Sequence, residues 1–213
     1  MSDILMENCA LQNFLTVSGG SVLYYISGGQ RSGKSSYAQK LALELSPRPY
    51  YLATARMWDD DFKKRIERHQ KDRDERWGNV EIEKTISSFS VPDDINSDPD
   101  INIDSDINID PNINTKTVVV LDCITLWLTN FFTDNNGDIE KTLAEVKAEW
   151  DRFAALPLTI IAISNEIGMG LHPQSETGLK FTDLQGFVNQ YVAGMADRQI
   201  FMVSGNPIHI HGE

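Results

Sequence analysis

Val22-Leu23-Tyr24-Tyr25-Ile26 is an unbroken apolar run, the pattern of a strand covered on both faces, and Ser27-Gly28-Gly29 ends it. From Lys34 to Leu45 the period changes. Tyr37, Ala38, Leu41, Ala42 and Leu45 recur at helical spacing until Ser46-Pro47 stops them. Tyr50-Tyr51-Leu52-Ala53 predicts a second strand, and the strongly charged stretch from Asp59 to about Arg76 a solvated helix. Residues 118–122 predict a buried strand ending in a carboxylate, 138–155 an amphipathic helix, and 158–164 a further strand. A helix over 181–195 and a short strand over 200–203 complete the series. Strands that alternate with helices specify an α/β fold, a mostly parallel sheet with helices on both faces.

Two segments fall outside that pattern. Residues 1–21 form an N-terminal extension, and 22–213 form a single α/β domain. Within the domain, about 90–116 reads SVPDDINSDPDINIDSDINIDPNINTK, with repeated Asp-Ile-Asn units and three prolines. Asp and Asn are poor strand formers and proline stops helices, so this is an acidic surface insertion. Its Asp-x-Asp spacing invites calcium, but a Gly-centred loop closed by a Glu is missing.

The insertion supplies much of the formal net charge of −12, which argues against a non-specific nucleic-acid binder. The charge leaves room for a nucleotide pocket, where a few donors and a metal ion act locally. The two cysteines, Cys9 and Cys123, match no disulfide framework or metal motif, and Cys123 reads as an inert core thiol. No cationic region followed by an apolar stretch opens the sequence, and no run approaches membrane-spanning length. A cytoplasmic location is expected.

Gly28-Gly29-Gln30-Arg31-Ser32-Gly33-Lys34-Ser35 is a full match to G-x-x-x-x-G-K-[ST], and Ser36 follows it. Glycines allow a turn tight enough for successive N–H groups to face phosphates, and the helix that follows adds its positive end. Lys34 would reach the β- and γ-phosphates, and the Ser35 hydroxyl would help hold Mg²⁺. The match sits between a predicted strand and a predicted helix, the context the loop requires. Asp122, at the end of an apolar strand, is either the Mg²⁺-ordering acid of such a site or a helix cap.

Arg65-Ile66-Glu67-Arg68-His69-Gln70-Lys71-Asp72-Arg73 is a cationic run in an acidic chain. On a helix, Arg65, Arg68 and His69 share a face. Neighbouring cations favour a neutral imidazole at His69, which could attack phosphorus to form a phosphoramidate. A surface histidine is the plainer alternative.

Taken together, several segments resemble the bifunctional adenosylcobinamide kinase/adenosylcobinamide-phosphate guanylyltransferase family. They are the loop from Ser27 to Ser35, Tyr51-Leu52-Ala53-Thr54-Ala55, the run from Arg65 to His69, Leu121 to Asn130, and Ser164-Asn165-Glu166-Ile167-Gly168-Met169-Gly170. Phe181, Asp183, Gly186, Asn189-Gln190, Ala196-Asp197 and Ser204 to Pro207 also fit. The resemblance implies a P-loop fold and two reactions. A nucleoside triphosphate, ATP or GTP, phosphorylates the aminopropanol hydroxyl of adenosylcobinamide. GTP then guanylylates a histidine, which passes GMP to adenosylcobinamide phosphate.

By the same resemblance His69 is the nucleophile, and Ala53, Thr54, Ala55, Gln70, Lys71, Asp72, Arg73, Glu81 and Asp122 lie around the nucleotide. Glu81 could accept two hydrogen bonds from guanine, or be a solvated strand-edge residue. Homotrimers with sites between subunits are also implied. The chain departs from the family where arginines commonly flank the Phe-x-Asp motif: here stand Leu179 and Thr182, with Lys180 the one cation. Proline is also absent between Arg73 and Trp77.

Residues 165–170 read either as a mobile loop near the substrate or as a simple strand-to-helix turn. His209 and His211 are two candidate metal ligands without a third. The competing functions are a P-loop kinase for another small alcohol, which needs no covalent His69, and a nucleotide-controlled switch. The switch is disfavoured by the lack of Asn-Lys-x-Asp. A corrinoid carrier is disfavoured by the lack of an Asp-x-His-x-x-Gly motif.

Overall fold

The computed structural model describes residues 22–56, 74–91, 117–170 and 173–212. In these, β1 (Val22–Gly28), β2 (Tyr50–Ala53), β3 (Gly78–Glu81), β4 (Val118–Asp122), β5 (Thr159–Ile163), β6 (Arg198–Val203) and β7 (Asn206–His211) form one sheet. Their order is β3-β2-β4-β5-β1-β6-β7. All neighbours run parallel except β7, which returns antiparallel beside β6. Around them lie α1 (Lys34–Leu45), α2 (Ile124–Asp134), α3 (Ile139–Ala154) and α4 (Glu176–Ala193). The α/β reading of the sequence therefore holds.

β4 shows why the strands read as continuous apolar runs. Val119 and Leu121 face a core shared with Trp127, Leu128, Trp150, Phe153 and Leu184 of α2, α3 and α4. Val118 and Val120 face a second core with Ala38 and Ala42 of α1, together with Trp77, Ile26 and Ile163. Both faces are covered, so no polar position interrupts the run.

Other elements were harder to read, for local reasons. α2 is buried at Ile124, Trp127, Leu128, Asn130, Phe131 and Phe132, nearly all round, which blurs the period of 3.6. α4 begins at Glu176, before the first strongly apolar position. Its start is set by the Ser175 hydroxyl, which accepts from Gly178 N at 3.1 Å. α3 starts behind Asp138, whose carboxylate accepts from Lys141 N at 2.9 Å. The charged helix expected over 59–76 falls mostly outside the described residues, and Asp74–Arg76 form a turn. The N-terminal extension and residues 92–116 of the insertion also lie outside them.

Candidate active site

The carboxyl ends of the parallel strands converge on one edge, where open α/β sheets bind ligands. Register fixes what meets there. Glu81 pairs with Ala53, and Ala53 with Asp122. Asp122 pairs with Ile163, and Gly28 with Met202. Neighbouring strands lie roughly 4.8 Å apart, so Glu81 and Asp122 stand roughly 10 Å from one another across β2.

β1 turns into the glycine loop at Gly28 (φ 149°) and into α1 at Gly33 (φ 96°), conformations that a side chain resists. Space forbids one too. A Cβ on Gly28 would stand 2.6 Å from Met202 O, and one on Gly33 3.1 Å from Gly205 Cα. The turn between β6 and β7 supports the loop from behind, with Gly205 N donating to Ser32 O at 2.9 Å. Gly29, Gln30 and Arg31 are exposed at the rim, as is Ser36 in the first turn of α1. α1 has no side-chain cap and no acidic residue in its first turn, so its positive end is not neutralised locally.

Lys34 is only 7 % exposed. Its Nζ donates to Gly28 O at 3.1 Å and Gly29 O at 2.6 Å. Burial pulls the ammonium pKa down, while Cys123, Asp122 and Glu166 act in the opposite direction. The Ser35 hydroxyl donates to Asp122 Oδ2 at 2.8 Å, and the Tyr51 hydroxyl donates to the same oxygen. Asp122 is thus bound to the loop and does not cap α2, whose N-cap position is Cys123, without a side-chain cap. Hard oxygens of Ser35 and Asp122 suit Mg²⁺, which keeps water and phosphate ligands and needs few protein donors. Among the described residues no cluster of three His, Cys, Asp or Glu forms a fuller metal cage, and His209 and His211 stay on exposed β7.

Thr54 is fully buried. Its Oγ1 donates to Cys123 O at 2.8 Å and accepts from Cys123 N at 3.0 Å, which ties the end of β2 to that of β4. Asn130 of α2 donates to both Thr54 O and Glu83 O at 2.8 Å, holding the exit of β3 to the same frame. At the rim beyond Ala55, Arg56 bridges Glu83 at 2.7 Å and Asp134 at 2.8 Å, and Lys84 joins Asp134 at 2.9 Å. Arg56, then Lys84, hold the Asp134 carboxyl well below the usual carboxylate range. Glu81 is exposed at the end of β3. His69, Gln70, Lys71, Asp72 and Arg73 lie outside the described residues.

Burial, then the Asp122 charge, pushes the Cys123 thiol up to about 12. At pH 8 its thiolate fraction is then about 10⁻⁴. Iodoacetamide should leave the Cys123 peptide unmodified in the native protein and alkylate it fully in guanidinium, as read by mass spectrometry of the digest.

The segment after β5 is a built structure. Asn165 N donates to Thr125 Oγ1 at 3.1 Å, and Asn189 Nδ2 donates to Asn165 O at 3.1 Å. Behind it, Gln185 and Asn189 of α4 enclose the Ser164 hydroxyl, which donates to Asn189 Oδ1 at 2.6 Å. Where the family resemblance left Lys180 as the one cation, that side chain pairs with Glu176 at 2.7 Å. Thr182 bonds back to Gly178 O. Sequence reasoning missed the support of Asp122 by Tyr51 and of the loop by Gly205. Both residues lay in recognised motifs, but only strand register shows what they reach.

The glycine loop between β1 and α1, with the Ser35–Asp122 pair at the adjoining strand ends, defines a P-loop protein of the α/β class. The chain belongs to the cobinamide kinase / cobinamide phosphate guanylyltransferase family, whose model matches residues 24–210. It is 31 % identical over 200 residues to the bifunctional adenosylcobalamin biosynthesis protein CobU of Escherichia coli K12, covering 89 % of this chain and 99 % of that one. It is 30 % identical over 188 residues to the bifunctional adenosylcobalamin biosynthesis protein CobP of Pseudomonas aeruginosa, with 88 % and 96 % covered. The Salmonella typhimurium CobU is 26 % identical over 211 residues. The flagellar accessory protein FlaH of Methanocaldococcus jannaschii matches with a TM-score of 0.43 at 14 % identity, covering 96 % of this chain and 84 % of that one. Among the described residues no helix is long and apolar enough to cross a membrane.

Proposed function

We propose that this chain performs both reactions of its family in cobalamin biosynthesis. It phosphorylates the hydroxyl of adenosylcobinamide from a nucleoside triphosphate, then carries GMP from GTP through His69 to give adenosylcobinamide-GDP. The observation that supports this best is the P-loop constellation of Lys34, Ser35 and Asp122 at the strand ends of a chain that matches the family from residue 24 to 210.

Backbone N–H groups of the loop from Gly29 to Gly33 and the start of α1 would bind phosphate oxygens. Lys34 would exchange its bonds to the loop carbonyls for the β- and γ-phosphates. Ser35 and Asp122 would hold Mg²⁺, which when bound neutralises charge on those phosphates. Glu81 would read guanine, and Lys71 and Arg73 would steady the phosphates near His69. We also place the protein in the cytoplasm as a homo-oligomer, a trimer by family resemblance. Exposed Val203, Ile208 and Ile210 on the β6–β7 hairpin are consistent with a buried subunit contact.

The test uses purified full chain, Mg²⁺, adenosylcobinamide and GTP, with products resolved by liquid chromatography and mass spectrometry. Adenosylcobinamide phosphate followed by adenosylcobinamide-GDP is expected. The phosphate alone would leave a small-molecule kinase. Neither product from a folded protein that binds triphosphate would overturn the reading.

A further inference from the structure

Glu166 has no part in the chemistry above, yet it is built into the glycine loop. Its backbone N–H donates to Gly28 O at 3.1 Å, and Lys34 Nζ donates to that same oxygen at 3.1 Å. One carbonyl therefore holds both the main chain of Glu166 and the ammonium that serves the phosphates. The side chain is oriented separately. Tyr25, buried in β1, donates its hydroxyl to Glu166 Oε1 at 3.3 Å, and Oε2 has no hydrogen-bond partner among the described residues. Behind Glu166, the Ser164–Gln185–Asn189 network and the Thr125 bond to Asn165 fix the direction in which the segment leaves β5.

The side chain is not needed to hold this segment, because the tie to Gly28 uses a backbone N–H that any residue but proline supplies. A carboxylate held beside the phosphate loop by a single bond from Tyr25, with its second oxygen open, calls for a chemical role. Two carboxylates act on Lys34, and their surroundings differ. Asp122 Oδ2 is occupied by the Ser35 and Tyr51 hydroxyls, the setting of a metal ligand. Glu166 is half-buried, anchored through one oxygen and open at the other, the setting of a proton acceptor.

We propose that Glu166 is the general base of the phosphoryl transfer. As the acceptor hydroxyl oxygen attacks the γ-phosphorus, its bond to phosphorus forms. The bond from that phosphorus to the β,γ-bridging oxygen breaks, its electrons leave on the nucleoside diphosphate, and the hydroxyl proton passes to Glu166 Oε2. This rests on the kinase half of the proposed function. Guanylylation of a histidine has no hydroxyl to deprotonate, so the two reactions separate the roles.

The test compares wild type, Glu166→Gln and Tyr25→Phe as full chains. It reads phosphorylation of adenosylcobinamide at saturating triphosphate, triphosphate Kd by calorimetry, and covalent capture of GMP from GTP. In Glu166→Gln, kcat for phosphorylation should fall about 10²–10⁴-fold, while Kd and GMP capture stay within about threefold of wild type. Tyr25→Phe keeps the carboxylate and loses only its orienting bond, so its kcat should fall by less than about tenfold. A Glu166→Gln kcat matching an active wild type overturns the assignment. So does a loss confined to Kd, which would make Glu166 a partner of Lys34 alone, or an equal loss of both activities. A wild type that does not phosphorylate adenosylcobinamide removes the kinase reading itself, and this assignment with it.

Discussion

His69→Ala should leave no covalent GMP on the protein. Wild type incubated with Mg²⁺ and GTP labelled at the α-phosphorus should carry a label that survives a denaturing gel and is lost in acid, as a phosphoramidate is. Removing the nucleophile leaves nothing to form that bond, so labelling should drop by about 10⁴-fold or more, to background. The expectation rests on the family match, by which His69, the one histidine of the run 65–73, is the nucleophile; Arg65, Arg68, Lys71 and Arg73 beside it would offset phosphate charge. His209 and His211 lie on exposed β7, so their alanine variants should label as wild type does. Phosphorylation of adenosylcobinamide should persist in His69→Ala, since Lys34, Ser35 and Asp122 remain. Undiminished labelling in His69→Ala would transfer the covalent role to another residue.

Lys34→Met should nearly abolish phosphorylation. Methionine keeps much of the stem in a buried position and removes only the ammonium. The bonds to Gly28 O and Gly29 O go with it, along with the one buried cation among the described residues, which faces Asp122 and Glu166. An ammonium aimed at charge that develops on the β,γ-bridge is worth about 10²–10³ in kcat, and a loss in that range at saturating triphosphate is expected. Circular dichroism should show an unchanged fold, because burial already opposes the charged form of Lys34. A kcat within about tenfold of wild type would place the phosphates elsewhere.

Both predictions start from residues visible in the sequence, and the reason is local. The loop needs Gly28, Gly33, Lys34 and Ser35 at fixed spacing, and strands buried on both faces announce themselves as apolar runs, as β1, β4 and β5 do. α2 was hidden by being apolar nearly all round, and β3 by having a single apolar residue, Val80. The supports of the site were hidden for a different reason. Tyr51 reaches Asp122 across 71 positions, and Glu166 reaches Gly28 and Tyr25 across about 140. Neither the period of an element nor the spacing within a motif carries such information. Thr54 was picked out by resemblance alone. Its hydroxyl bonds twice to the Cys123 backbone, which joins strand ends and orients Asp122 next door.

The place of β1 between β5 and β6 also bears on how the protein is made. β1 is the first strand of the domain to leave the ribosome, but both of its neighbours, and the hairpin turn that buttresses the loop, are encoded in the last third of the domain. At ordinary elongation rates about 175 further residues, roughly 10–35 s of synthesis, separate Gly28 from Val203. For about the first 130 of those residues, until β5 is made, β1 has neither lateral partner, and for the whole interval it lacks β6 and the loop lacks the backing of Gly205. Nucleotide can therefore act as a folding ligand only after translation of the hairpin. Until then the nascent chain exposes an apolar strand that chaperones would be expected to hold.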